Sequence, residues 1–99
     1  MNQINKNNCL QIIREKLSQC VEVDKVIVFG SFLSSSSPHD IDIAIIQNSN
    51  QNFLTLSLKY RKVLRELSQD IPLDIIPIKK NTQGVFMQEI NEGRVIYER

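Results

Sequence analysis

Residues 26–46, VIVFGSFLSSSSPHDIDIAII, leave this chain few ways to fold. A β-branched and aromatic run ends at Gly30, a loop with four serines follows, and a second apolar run opens with Asp40 and Asp42. Apolar runs this short, bounded by turn residues, read as strands inside a sheet. Residues two apart on a strand share a face. Asp40 and Asp42 therefore project together, about 7 Å apart at their α-carbons, while Ile41, Ile43 and Ile45 point into the core. A carboxylate at the margin of a core is costly unless a cation or a hydrogen-bond donor meets it.

The flanking sequence supplies helices to cover such a sheet. From residue 4 to about 21, Leu10, Ile13, Leu17 and Cys20 recur on one helical face. Residues 25–30, KVIVFG, and 40–46, DIDIAII, are the first two strands, with 34–38 a loop. After the polar turn QNSNQN, residues 53–68 carry the clearest helical stripe, Leu56, Tyr60, Val63, Leu64 and Leu67, with Lys59, Lys62, Arg65 and Glu66 on the wet side. Residues 70–72 break that helix. LDIIPI at 73–78 is a third strand whose Pro77 marks an end or an edge. Residues 83–92 read as a last helix closed by Gly93 as a left-handed cap, and RVIYE as a short final strand. The expected order is α-β-β-α-β-α-β, an α/β (α+β) arrangement with one small mixed sheet and helices packed on it.

Ninety-nine residues with balanced charge suit one globular domain, residues 1–99, with a single core. A formal charge of +1 gives no footprint for nucleic acid or an anionic membrane. A nucleic-acid-binding sheet would need basic and aromatic residues that the strands lack. No apolar run reaches the roughly 18 residues that span a bilayer, and the polar start MNQINKNNCLQII lacks a signal-peptide core. A cytoplasmic location is expected. Cys9 and Cys20, eleven apart, would stand about 16 Å apart on one helix, beyond disulfide reach.

The third strand carries one more acid, Asp74, between Leu73 and Ile75. If the two strands are neighbours, three carboxylates converge and raise one another's pKa unless cations intervene. Mg²⁺ takes hard oxygen ligands and is shared between carboxylates and phosphates. Two such ions about 4 Å apart activate an attacking oxygen and stabilise a leaving one. Gly30 lets the backbone approach a ligand closely, and N–H groups of a turn at Ser31 with the serine hydroxyl form an anion site. Simpler readings stand beside these. Asp74 alone could pair with Lys79 or Lys80, Lys62 and Glu66 form an (i, i+4) pair, and His39 is a surface residue because magnesium prefers oxygen.

Residues 29–46, FGSFLSSSSPHDIDIAII, resemble the signature of the nucleotidyltransferase superfamily related to DNA polymerase β, most closely its minimal form, the MNT domain. The likeness extends to the order of elements and to the ending INEGRVIYER. It implies that Gly30 and Ser31 bind nucleotide phosphates and that Asp40 and Asp42 hold Mg²⁺. Asp74 would complete the metal site and assist deprotonation of the acceptor. The reaction implied is transfer of a nucleotidyl group, usually AMP from ATP or another nucleoside triphosphate, to a hydroxyl. A helical HEPN-type protein is the implied partner, with this chain as antitoxin, and self-association is left open. Eight residues, FLSSSSPH, separate Ser31 from Asp40 where the family commonly has ten, and none is Lys or Arg. That loop would also suit a catalytically inactive subunit of the same fold acting as an interaction module.

Overall fold

The computed structural model describes residues 5–82, 84 and 86–99. Its elements run α1 (Lys6–Ser18), β1 (Val23–Phe29), α2 (Ser31–Ser34), β2 (Ile41–Gln47), α3 (Phe53–Val63), α4 (Arg65–Ser68), β3 (Leu73–Ile78), α5 (Phe86–Asn91) and β4 (Arg94–Glu98). The four strands form one mixed sheet in the order β3-β2-β1-β4. β1 pairs antiparallel with both β2 and β4. β2 and β3 are parallel, which requires a crossover, and α3 with α4 supplies it.

This is the mixed sheet with packed helices that the sequence led one to expect, with local differences. The loop after Gly30 opens with the helical turn α2. The expected helix over 53–68 breaks at Leu64, whose φ of −100° and ψ of 20° leave the helical region and separate α3 from α4. β2 begins at Ile41, so Asp40 stands just before the strand rather than in it. Gln83 and Val85, in the expected last helix, and Ile4, in the first, lie outside the described residues, and α5 starts at Phe86.

Strand alternation divides the apolar residues between two layers. Val26, Val28, Ile41, Ile43, Ile45, Leu73 and Ile75 face α1 and α3, meeting Leu10, Ile13, Leu17, Leu56, Tyr60 and Leu64. The other face is thinner: Ile27, Phe29, Ala44 and Ile90, with Ile46, Ile76, Ile78 and Met87 packed around them. α5 is the helix that covers it. Gly93 is not the left-handed cap expected of it, since among the described residues only Gly30 and Gly84 have positive φ. It is glycine for a different reason. A β-carbon there would lie 2.6 Å from the Val28 carbonyl and 2.8 Å from the Phe29 β-carbon, where the chain leaving α5 crosses β1. Both cysteines are buried and free, and burial pushes both thiols above their ordinary pKa.

One buried polar group ties the helical layer to the sheet. Glu22, just before β1, is 9% exposed. Its Oε2 accepts hydrogen bonds from the Tyr60 hydroxyl at 2.7 Å and the Lys59 ammonium at 2.8 Å, both on α3. Burial by itself raises the Glu22 pKa, but bonds from Lys59, Tyr60 and its own backbone outweigh it and hold the carboxyl below 4.5. The same burial, followed by the bond to Glu22, pushes the Tyr60 phenol far up. Lys59 therefore belongs to this clamp rather than to the wet face of its helix.

Removing a hydrogen bond to a buried carboxylate costs about 1.5–3 kcal/mol. Tyr60→Phe is expected to lower the unfolding free energy at pH 7 by about that amount, read from urea denaturation. A depressed carboxyl pKa contributes stability above the unfolded value and loses it as pH falls through the folded one. The gap between wild type and Glu22→Gln is accordingly expected to narrow below about pH 4.5.

Candidate active site

The site stands at one end of the thinner sheet face, where β1 runs out into Gly30. Register places Asp42 of β2 between two neighbours, Phe29 of β1 on one side and Asp74 of β3 on the other. Partners in register present their side chains to the same face, so the two carboxyl groups emerge side by side. They are close enough to hydrogen-bond to each other. Asp42 is half-buried, whereas Asp74 and Asp40 are exposed.

Gly30 completes the floor. Its φ of 77° and ψ of −157° belong to a region used almost only by glycine. A β-carbon on it would collide with Oδ2 of Asp42. The turn at Gly30 and the Asp42 carboxyl are thus in direct contact; the conformation demands glycine, and a β-carbon there would also push the carboxyl aside. Ser31 follows as the exposed first residue of α2. The turn is anchored beneath by Phe32, 1% exposed within the larger core. It closes with Leu33 N–H donating to the Gly30 carbonyl at 3.3 Å and Ser35 N–H to the Ser31 carbonyl at 2.8 Å.

The electrostatics of this corner are one-sided. Burial first, then the charges of Asp40 and Asp74, the hydrogen bond with Asp74 and the charge of Glu89 raise the Asp42 pKa above 3.8. Each neighbouring negative charge disfavours ionisation of Asp42. Among the described residues, no three Asp, Glu, His or Cys side chains are grouped as a ready metal-binding set. The expected acids are therefore assembled as a joined pair, Asp42 with Asp74, and an exposed third, Asp40, whose charge Asp42 senses. His39 is exposed, as expected. Lys79 does not meet Asp74; its ammonium donates to the Ser49 carbonyl.

Two residues at this corner escaped the sequence reading. Glu89 lies on α5, and only the chain path that lays α5 over β1 brings its charge toward Asp42. Lys6, at the start of α1, donates to the Ser35 carbonyl and stands 5.6 Å from the centroid of the Phe32 ring. The loop without Lys or Arg thus receives a cation from another element.

The polymerase beta nucleotidyltransferase family profile matches residues 11–99. The chain belongs to that family. No curated protein matches the sequence, but solved structures share the fold. A toxin–antitoxin complex with AMP-PNP aligns at a TM-score of 0.64 and 17% identity, covering 97% of this chain and 75% of that one. The tri-AMPylated Shewanella oneidensis HEPN toxin in complex with its MNT antitoxin gives 0.62 and 18%, with 95% and 70% covered. A putative nucleotidyltransferase from Sulfolobus solfataricus gives 0.57 and 18%, with 95% and 80% covered.

Two outcomes follow for the protein alone. Gly30→Ala is expected to lose about 1–3 kcal/mol of stability, because its backbone conformation excludes a β-carbon; thermal or urea unfolding reads this. A carboxyl with a raised folded pKa stabilises below its unfolded value, near 3.8, and loses that stability as pH rises through the folded one. Asp42→Asn is therefore expected to be more stable than wild type at pH 7 in EDTA, with the advantage vanishing below about pH 3.8.

Proposed function

We propose that this chain transfers AMP from ATP to a hydroxyl of a partner protein, as the antitoxin-like member of a HEPN/MNT pair. The observation that carries this reading is the Asp42–Asp74 pair packed against the Gly30–Ser31 turn. It combines an acidic corner with an adjacent open backbone turn, and a nucleoside triphosphate with its cation needs both. Family membership supports the reaction class. The relative bound to AMP-PNP and the relative paired with a tri-AMPylated HEPN toxin support ATP as donor and a HEPN-type protein as acceptor.

The residues fit magnesium by their chemistry. The donor set is carboxylate oxygen, which hard cations prefer, and such a cation relieves the crowding of negative charge that raises the Asp42 pKa. Asp40, Asp42 and Asp74 would hold it, with exposed Asp40 turning toward the pair. Bound there, Mg²⁺ supplies charge compensation for the phosphates and for the developing oxyanions. Gly30 and Ser31 bind the phosphates through backbone N–H groups and the serine hydroxyl, and so orient the α-phosphorus. Asp74, the exposed member of the pair, accepts the proton of the acceptor hydroxyl. As that oxygen bonds to the α-phosphorus, the bond to the bridging oxygen breaks and pyrophosphate leaves.

The surface of the partner completes the acceptor side. Phe53, Leu54 and Leu58 of α3, each more than half exposed, provide apolar area suited to protein contact.

The test is transfer of label from α-³²P-ATP to a co-expressed HEPN-type partner in the presence of Mg²⁺. Wild type is expected to label the partner. Asp42→Asn is expected to reduce the rate by at least about a hundredfold, the scale of losing a group that stabilises transition-state charge. Undiminished labelling by that variant would refute the assigned mechanism.

A further inference from the structure

Lys6 occupies an unfavourable place for a cation. It is the first residue of α1, where the helix dipole is positive and repels a positive charge by about 0.3–1 kcal/mol. No acidic residue in that turn offsets it. Its side chain instead reaches 29 residues along the sequence to α2 and makes two contacts there. The ammonium donates to the Ser35 carbonyl and lies 5.6 Å from the Phe32 ring centroid, within cation–π range.

Those contacts fall on the element that most needs them. α2 has four residues, too few to be stable as a helix by itself. Its hold on the core is Phe32. Ser35 N–H closes the turn on the Ser31 carbonyl, and the carbonyl of that same Ser35 accepts from Lys6. A continuous path therefore runs from the α1 terminus through Ser35 to Ser31. The flanking loop, residues 32–39, contains neither Lys nor Arg.

The geometry points to Lys6 as a positioning residue that tethers α2 and thereby fixes the Gly30–Ser31 turn, so that affinity for the triphosphate depends on a residue of α1. This rests on the nucleotide reading of the site.

The experiment compares wild type, Lys6→Met and Lys6→Arg, with folding verified by circular dichroism. Met keeps the apolar stem over Phe32 and removes charge and donor; Arg restores both. Hydrogen exchange on the nucleotide-free proteins is expected to show faster exchange at Leu33 and Ser35 in Lys6→Met, with protection elsewhere unchanged and Lys6→Arg close to wild type. Calorimetry with Mg–ATP is expected to show Kd weakened on the order of tenfold in Lys6→Met and recovered in Lys6→Arg. Unchanged exchange in α2 together with unchanged Kd overturns the proposal. An equal loss in Lys6→Met and Lys6→Arg also overturns it. If wild type binds no Mg–ATP, the nucleotide reading falls instead, and exchange in α2 alone then decides the tether.

Discussion

An α-carbon without a side chain is the constraint on which the candidate site depends. At Gly30 the first strand ends, the chain turns into α2, and the Asp42 carboxyl packs directly against the turn. Any side chain there displaces either the carboxyl or the backbone that faces it. Because Asp42 is in register with Asp74, moving it also undoes the carboxyl pair. One missing β-carbon thus joins the Gly30–Ser31 turn to the acidic end of the candidate site.

The sheet builds that junction at the expense of charge. Asp42 is the half-buried member of a crowded acidic corner, and no cation-bearing side chain is seen to neutralise it among the described residues. The cost shows in the raised pKa of Asp42. Elsewhere the protein treats a buried carboxylate in the opposite way. Glu22 is more deeply buried yet lies below its ordinary pKa, because Lys59 and Tyr60 both donate to it. The contrast separates a structural acid, fully met by its own fold, from an acid left in want of a positive partner.

Periodicity made most of the fold legible. The stripe Leu10, Ile13, Leu17 is buried, Leu56 and Tyr60 face the sheet, and Pro77 does mark an edge strand. The pairing of Asp42 with Asp74 followed from two short strands being neighbours. What stayed hidden depends on long-range contact. Tyr60 fits an apolar stripe whether or not its hydroxyl has a partner, and that partner lies 38 residues away. Gly93 follows a helix, where a cap is the ordinary expectation, but its need for space comes from β1 crossing beneath it. Asp40 alternates correctly with Asp42, yet strand pairing starts one residue after it. Lys6 carries no signal in the sequence beyond being a cation at the wrong end of a helix.

The most direct test of the central claim follows the Asp42 side-chain carboxyl by ¹³C NMR through a pH titration, with and without Mg²⁺. The account predicts a midpoint above 3.8 in the free protein that moves down when Mg²⁺ is present, as a cation offsets the neighbouring negative charges. A midpoint at or below 3.8 in the free protein, or one that Mg²⁺ leaves where it was, would contradict it.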